Sequence, residues 1–270
     1  AVDRGECLRH FRLADAGLTD IFIANTLFGQ AKAERAAALA ARVRLAVGVD
    51  HIEQARALSG AMAGAARPLD VMIEVDTGSR RGGISPADAP ALAQEVHALP
   101  GLSVRGIYTY EGYTYEAADR EELAAVQRAA QDVMVRLGDG LRELLGIDPV
   151  VSVGSTPGLL SGAGYRKGIT EIRPGTYIFL DAAQAALAGG VESCAAHVLA
   201  TVVSRPGPDR AVLDTGSKSL TSDTRSSGIC RTAGYGLLPD FGLTIARVSE
   251  EHGVIEGEGV ERLRIGEKVR

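Results

Sequence analysis

The chain has 270 residues, of which 46% are hydrophobic and 23% are charged, and its formal net charge is -5. The high apolar content and the small net charge exclude a disordered chain and predict a globular protein with a sizeable core. No apolar run of about 18 residues predicts a membrane span, and no basic stripe predicts a nucleic-acid partner.

Strand-like and helix-like segments alternate over the first two thirds of the chain. Short runs of apolar and β-branched residues predict strands, and the Ala-, Leu- and Arg-rich segments between them predict helices. The predicted strands are residues 20–24, 44–49, 71–75, 104–110, 150–153 and about 170–179. The predicted helices are residues 31–41, residues 51–65, a segment with Ser85 as N-cap and Pro86 at its first position, and residues 117–145.

This alternation predicts an α/β fold, in which a parallel sheet of strands that are apolar throughout is covered by helices. Six units of an eight-stranded (β/α)8 TIM-type barrel are visible. We therefore expect a partial barrel, and we expect the chain to be a piece of a longer protein that also contains the first strands. An open doubly wound sheet is the rival architecture, but its GxGxxG fingerprint is absent.

The character of the sequence changes after about residue 185, where no long Ala-rich helix occurs. Short apolar runs linked by Gly, Pro, Asp and Ser predict a mainly β C-terminal domain. We expect the partial barrel over residues 1–188 and an incomplete β domain over residues 189–270. The predicted strands of this second domain are residues 195–204, 210–214, 243–248 and 263–270.

The loops after the third and fourth strands are candidates for a ligand site, because functional groups of β/α barrels lie at the C-terminal ends of the strands. Residues 76–83 read Asp-Thr-Gly-Ser-Arg-Arg-Gly-Gly. Arg81 in this loop could bind a phenolate, phosphate or carboxylate, or the segment is an ordinary loop with a local Asp–Arg pair. Residues 108–115 hold four of the seven tyrosines, which suit a flat aromatic ligand or, alternatively, an aromatic plug of the barrel.

Two turns after the fifth and sixth strands predict a phosphate site. A Gly-Ser-Thr turn contains Ser155 and Thr156, and a second turn that follows Arg173 contains Gly175 and Thr176. Such turns offer backbone N–H groups and hydroxyls to an anion. Two of them on neighbouring strands could hold one phosphate between them.

The cysteines and histidines form no recognisable metal or disulfide pattern. Cys7, Cys194 and Cys230 are too sparse for a disulfide framework or a zinc site, so we expect idle thiols in a reducing cytoplasm. His252 follows two glutamates and precedes a glycine, and it could be a metal ligand, an acid–base group or a surface histidine. The others are interpreted as structural, namely His10, His51, His97 and His197.

Taken in order, these loops resemble those of the alanine-racemase-like (fold-type III) pyridoxal-phosphate enzymes over nearly the whole chain. Residues 76–83 resemble the Asp-Thr-Gly-x-x-Arg-x-Gly loop of that family, and residues 173–175 resemble its Arg-Pro-Gly phosphate loop. Residues 214–219 and 250–253 resemble one branch, the D-threonine aldolase and D-serine dehydratase family. The resemblance implies pyridoxal 5′-phosphate as cofactor, bound by Arg81, Tyr108, Tyr115, Ser155, Thr156, Arg173, Gly175 and Thr176.

The resemblance also implies a reaction. A lyase of this branch acts on a D-β-hydroxy amino acid, and it either breaks the Cα–Cβ bond, as an aldolase, or expels the β-hydroxyl, as a dehydratase. The cofactor takes up carbanion electron density, and a divalent metal ion (zinc, manganese or magnesium) polarises the hydroxyl. A racemase of the same superfamily and a non-catalytic pyridoxal-phosphate-binding protein are the alternatives. The expected partners are a small D-amino acid and a second copy in a cytoplasmic homodimer, with no nucleic acid and no membrane.

Two family features have no match in the chain. The family's Schiff-base lysine lies in an Arg-Pro-His-x-Lys-type segment on the first strand, and none of Lys32, Lys167, Lys218 and Lys268 occupies such a segment. The family's metal-binding His-x-Cys or His-x-Asp pair has no counterpart either. We therefore expect this chain alone to be inactive, and we assign no catalytic residue and no metal ligand within it.

Overall fold

The computed structural model describes the backbone from residue 6 to residue 270 and the side chains from residue 9 onward. Cys7 lies outside the described side chains. The chain forms two compact units that interleave along the sequence. The first comprises the chain up to Tyr113 together with Val126–Ser155 and Ala163–Arg173, and the second comprises Thr114–Ala125, Thr156–Gly162 and Pro174–Arg270. The domain boundary that the sequence predicts between residues 188 and 189 remains a prediction.

The first unit is built from alternating helices and strands. In chain order, the elements up to residue 172 are α1 (Glu6–Asp15), β1 (Asp20–Ile23), α2 (Gln30–Ala40), β2 (Arg44–Val49), α3 (Ile52–Ala61), β3 (Leu69–Glu74), α4 (Ala89–His97), β4 (Leu102–Tyr108), α5 (Arg120–Leu145), β5 (Val150–Val153), the short α6 (Thr156–Leu160, in the second unit) and β6 (Glu171–Ile172). The six strands form one sheet in the order β1-β2-β3-β4-β5-β6, and every pair is parallel. The predicted α/β architecture is confirmed.

The two faces of this sheet differ in what they bury. One face carries the large hydrophobic core, in which strand residues such as Val47, Ile73 and Ile107 pack with the helices. The opposite face holds a small cluster of Ala46, Met72 and Tyr108, with Phe22 and Val150 packed against it. Side chains alternate between the faces along each strand, so the polar residues that follow this smaller cluster lie on the inner face of the curled sheet.

Two predicted elements of the first unit have the wrong bounds. The helix predicted to start at Ser85 begins at Ala89 instead, with Asp88 as its N-cap. Ser85 shapes the turn before it, since its Oγ accepts from the Asp88 backbone N–H at 3.2 Å. The strand predicted over residues 170–179 is only Glu171–Ile172 long, because Pro174 has no N–H to donate to a ladder and the chain then enters a short 3-10 helix.

The second unit contains an antiparallel sheet. Its elements are α7 (Ala185–Ala188), β7 (Ala200–Gly207), β8 (Arg210–Leu213), β9 (Leu237–Leu238), β10 (Leu243–Val248), β11 (Gly253–Glu256) and β12 (Lys268–Val269). The strand order is β12-β7-β8-β11-β10-β9. Its core includes Val202, Leu213, Ile245 and Ile255. The mainly β character is confirmed, whereas β11 was not predicted and the strand predicted over residues 263–270 is reduced to Lys268–Val269.

None of the helices in the described part of the chain combines the length and the hydropathy of a bilayer-spanning segment. One of the histidines interpreted as structural has a defined role: His51 caps α3, since its Nδ1 accepts from the Glu53 backbone N–H at 3.2 Å. Cys194 and Cys230 are both free, and Cys230 is buried.

Candidate functional site

Polar side chains of the first unit gather where its parallel strands end. Glu74 ends β3, Tyr108 ends β4, and Arg173 directly follows β6. The carboxyl ends of parallel strands share one edge of a sheet, which is where β/α folds place their ligands.

A buried tyrosine–carboxylate pair occupies the centre of this edge. The Tyr108 hydroxyl donates to Glu74 Oε2 at 2.9 Å, and only 1% of Tyr108 is exposed. Gly48 on β2 makes room for the phenol, because a Cβ at that position would lie 2.1 Å from the Tyr108 hydroxyl oxygen. Burial, followed by the nearby charge of Glu74, raises the pKa of Tyr108 far above its ordinary value. Tyr108 is therefore a hydrogen-bond donor at neutral pH and not a base.

Arg173 lies against this pair and is held by several groups. Its Nε donates to Ser152 Oγ at 2.8 Å, and a terminal nitrogen donates to the Thr109 carbonyl. Its guanidinium carbon is 5.0 Å from the centroid of the Tyr108 ring. Burial lowers the pKa of Arg173, but a guanidinium stays charged in proteins. The site thus contains a preoriented cation.

A second buried carboxyl lies beyond the end of β4. Glu111 is 1% exposed, and the buried Ser155 donates its Oγ hydrogen to Glu111 Oε2 at 3.5 Å. Burial raises the pKa of Glu111 to about 7, although the charge of Arg173 and the Ser155 hydrogen bond oppose the shift. Glu111 therefore changes its charge near neutral pH.

The loop of residues 76–83 is organised by its own aspartate. Asp76 Oδ1 accepts from the backbone N–H groups of Gly78 at 2.8 Å and Arg80 at 3.2 Å. Arg81 lies over the ring of Tyr110, with its guanidinium carbon 4.4 Å from the centroid. Burial raises the pKa of Glu74, and the Tyr108 hydrogen bond, followed by the charges of Arg81 and Arg173, opposes this rise. Arg81 and Arg173, both predicted site residues, thus act on the same carboxylate.

The four clustered tyrosines have different partners and do not form one plug. Tyr108 pairs with Glu74, Tyr110 lies under Arg81, and Tyr113 donates to Thr77 Oγ1 at 3.4 Å. These three belong to the first unit. Tyr115 belongs to the second unit, where it is buried and lies under Arg225 at 4.3 Å.

The remaining predicted phosphate residues lie in the second unit. Thr156 is buried, and its Oγ1 accepts from the Tyr177 backbone N–H at 3.2 Å. This bond brings Thr156 next to the turn that contains Gly175 and Thr176. A Cβ at Gly175 would meet nothing within 4 Å, so the space beside this turn is open. A hydroxyl that accepts one bond can still donate another.

The polar patches of the β domain are surface ion pairs. Lys218 Nζ lies 2.6 Å from Glu251 Oε1 and 3.3 Å from Glu250 Oε2, and all three side chains are exposed. Asp214 accepts from the Thr201 backbone N–H at 2.6 Å. These carboxylates are thus occupied, which favours the surface interpretation of His252. Within the part of the chain that the structure describes, no group of three His, Cys, Asp or Glu side chains could hold a metal ion.

Three site residues were not predicted from the sequence, namely Glu74, Glu111 and Ser152. A signal for Glu74 exists, because it lies two positions after Met72 and two positions before Asp76. Side chains alternate along a strand, so these three residues point to the same face. Ser152 could have been found in the same way from Val150 on β5. Glu111 offers no such signal, because a glutamate among loop tyrosines is typical of an exposed position.

Comparison with known proteins agrees with this geometry. Residues 12–183, more than half of the chain, match the family model of the alanine racemase N-terminal domain, and residues 195–270 match that of a putative serine dehydratase domain. The chain is 34% identical to the D-threonine aldolase of Arthrobacter sp over 249 residues, which cover 90% of this chain and 63% of that relative. It is 29% identical to the D-threo-3-hydroxyaspartate dehydratase of Delftia sp. (strain HT23), covering 82% of this chain and 63% of that relative.

A solved structure is similar over the same extent. The crystal structure of D-threonine aldolase from Filomicrobium marinum has a TM-score of 0.82 at 30% identity, and the match covers 98% of this chain and 71% of that one. The chain spans about 63% of the length of the two curated relatives. The protein therefore belongs to the alanine-racemase-like family, in the branch that joins an alanine racemase N-terminal domain to a serine dehydratase domain.

Proposed function

We propose that the protein is a pyridoxal-phosphate-dependent lyase that acts on D-β-hydroxy amino acids, of the D-threonine aldolase or D-serine dehydratase type. The observation that carries the proposal is the ordered match of both domains together with the 34% identity to a D-threonine aldolase over 90% of the chain. The relatives' names also motivate a small D-amino acid as substrate. We keep a homodimer and a cytoplasmic location as further parts of the proposal.

The donor groups of the first unit fit the cofactor chemically. Pyridoxal phosphate carries an anionic phosphate and a phenolic oxygen, which require cations and hydrogen-bond donors. Arg81, Tyr108, Ser155 and Arg173 offer two guanidinium groups and two hydroxyls at one edge of a parallel sheet. For the second unit, the proposal assigns cofactor binding to Tyr115, Thr156, Gly175 and Thr176 on the strength of the resemblance.

The bound cofactor supplies an electron sink for the carbanion at Cα of the amino acid. The residues of this chain prepare the site for it. Arg173 provides fixed positive charge without reorganisation, because Ser152, Thr109 and Tyr108 already hold it in place. Tyr108 keeps its proton and its bond to Glu74, so it orients neighbouring groups and does not take a proton from substrate.

The metal part of the proposal rests on the resemblance alone. A zinc, manganese or magnesium ion is expected to assist the lyase in its full-length form. The described residues contain no set of side chains that fits such an ion, and the chemistry assigned to this chain therefore involves its cationic and hydroxyl groups.

The two alternatives make different predictions. A racemase would share Arg81 and the loop after Arg173, and a non-catalytic binding protein would resemble a lone barrel. The match of residues 195–270 to a serine dehydratase domain favours the lyase over both.

The test uses the protein expressed from its complete gene. We expect an absorbance band at about 420 nm from bound cofactor, turnover of D-threonine or D-serine, and loss of turnover with a chelator. The 270-residue chain alone serves as the comparison and should show no turnover, because none of its four lysines matches the family's segment. A full-length protein that releases no cofactor on denaturation would contradict the proposal, and chelator-resistant racemisation would favour the racemase.

A further inference from the structure

Glu111, which the proposed chemistry leaves without a role, forms a buried pair with Ser155 in the first unit. Glu111 follows β4 and Ser155 follows β5, so the pair joins two neighbouring strand ends. Ser155 Oγ donates to Glu111 Oε2 at 3.5 Å, and both side chains are buried. The distance is longer than the usual range of about 2.5–3.0 Å for an O–H···O hydrogen bond, so the interaction is weak and a small change in either group can release it.

The chemistry of a hydroxyl makes this pair sensitive to a proton. A serine hydroxyl has one hydrogen to donate and two lone pairs to accept with. When Glu111 is ionised, it can only accept, and it attracts the Ser155 hydrogen. When Glu111 is protonated, it can donate to Ser155 Oγ, and the serine hydrogen can then turn toward another acceptor.

We propose that Glu111 is a positioning residue whose protonation determines whether Ser155 can donate its hydroxyl hydrogen to a bound phosphate group. This inference rests on the proposed function, which assigns Ser155 to the phosphate of the cofactor. An ionised Glu111 opposes the phosphate twice, because it occupies the donor and because it places a negative charge beside a dianion. The protonated form removes both effects.

Among the ionisable groups around this pair, Glu111 is the group whose charge changes near neutral pH. Arg173, which follows β6, provides a permanent positive charge, and its electrostatic interaction lowers the pKa of Glu111 against the larger effect of burial. Tyr113 and Tyr165 also face Glu111, and burial raises the pKa of both phenols, so they stay neutral. The pKa of Glu111 is about 7 before the phosphate binds, and an incoming dianion raises it further.

The direction of the pH dependence follows from this shift. If the pKa of a group is higher in the complex than in the free protein, protonation of that group and ligand binding favour each other. The affinity is then highest below the pKa of the free protein and falls as the pH rises above it. Affinity for a phosphate ligand should therefore be nearly constant below about pH 7 and should fall above that value. The second ionisation of the phosphate itself occurs at about pH 6 and affects all variants equally.

The experiment measures binding of pyridoxine 5′-phosphate, which has the ring and the phosphate of the cofactor but no aldehyde, to the protein from the complete gene. Fluorescence titrations are done at about pH 6.5 and about pH 8.5. We expect the dissociation constant of the parent to rise about five- to tenfold between these values, and that of Glu111→Gln to change less than about twofold. Glu95→Gln, an exposed carboxyl on α4, is the matched control and should behave as the parent.

A second variant and a second ligand keep the outcome decisive. Ser155→Ala should bind more weakly at the lower pH and should lose part of the pH dependence, even if Glu111→Gln does not fold. Pyridoxine, which lacks the phosphate, should show no difference between the parent and Glu111→Gln. If the parent binds pyridoxine 5′-phosphate and both variants keep its pH dependence, the inference is wrong. If the parent binds no phosphate ligand at all, the proposed function fails instead.

Discussion

The first unit places charged residues in a buried cluster where its strands end, whereas the charged patch around Lys218 in the second unit lies on the surface. In the first unit, Glu74 and Glu111 are buried, Arg173 is half-buried, and hydrogen bonds or stacking hold each of them. In the second unit, Lys218 pairs with Glu250 and Glu251 on the surface. Burying charge costs free energy unless the charge is paired and hydrogen-bonded, so the arrangement in the first unit indicates a ligand site. Exposed ion pairs contribute little to stability and indicate solvation.

The largest expected effect comes from removing Arg173, the half-buried cation of the first unit. Arg173→Met should weaken binding of pyridoxal phosphate about 100-fold, because a fixed positive charge and its hydrogen bonds are lost from the site that we propose binds the anionic cofactor. Arg56→Met, on the exposed face of α3, is the matched control and should leave binding unchanged. Spectroscopic titration of both variants measures the difference. Equal affinities would mean that Arg173 supports the fold and not the ligand.

A steric prediction tests the centre of the first unit. Gly48→Ala should cost about 1–3 kcal/mol of unfolding free energy, because the new methyl group would overlap the Tyr108 hydroxyl. Gly60→Ala on α3, where a Cβ meets nothing, is the control and should not destabilise. Urea denaturation measures both. Adding Tyr108→Phe to Gly48→Ala should recover part of the loss, and a loss that the double variant leaves unchanged would place the strain elsewhere.

The proposed phosphate-binding role of Thr156 and of the turn at Gly175 can be tested by introducing a negative charge. Thr156→Val together with Gly175→Asp should weaken cofactor affinity more than about tenfold, or roughly 1.4 kcal/mol. Valine removes a hydroxyl at nearly equal volume, and aspartate fits the open space at Gly175 but repels an anion. Ser85→Ala, in the turn before α4, is the control and should affect only stability. A folded double variant with the parent's affinity would show that the phosphate is held elsewhere.

The smallest effect is expected on the surface of the β domain. Lys218→Met should change the unfolding free energy by less than about 0.5 kcal/mol, because the ion pairs that it removes are exposed to water. It should not alter cofactor binding. Thermal unfolding at low and high salt checks this, and a loss of several kcal/mol would contradict the contrast between the two units.

The repeating part of the fold could be predicted from the sequence because it depends on local pattern. The predicted strand at residues 150–153 agrees with β5, and that at 44–49 agrees with β2. The predicted bounds of an element are wrong where two local sequence rules conflict. The sequence pattern predicts a strand that continues beyond Ile172, but the chain leaves the sheet before Pro174, and the same kind of rule predicts a helix cap at Ser85, which instead shapes the preceding turn.

The site was harder to predict because its contacts join distant residues. The bond between Tyr108 and Glu74 depends on the register of β3 against β4, which the sequence does not reveal. Predicted residues such as Arg173 were found through the resemblance and through their position after a strand. Sequence analysis misses Glu111 because its burial is a property of the folded chain and follows no local pattern.

The central claim is that this site serves a lyase specific for D-β-hydroxy amino acids. Its most direct test is product analysis with the cofactor-loaded protein from the complete gene, given D-threonine, L-threonine, D-serine and L-serine in parallel. The account predicts glycine and acetaldehyde from D-threonine, or pyruvate and ammonia from D-serine, with no product from either L-enantiomer. Conversion of D- into L-amino acids without bond cleavage, or no conversion of any of the four by protein that holds its cofactor, would contradict it.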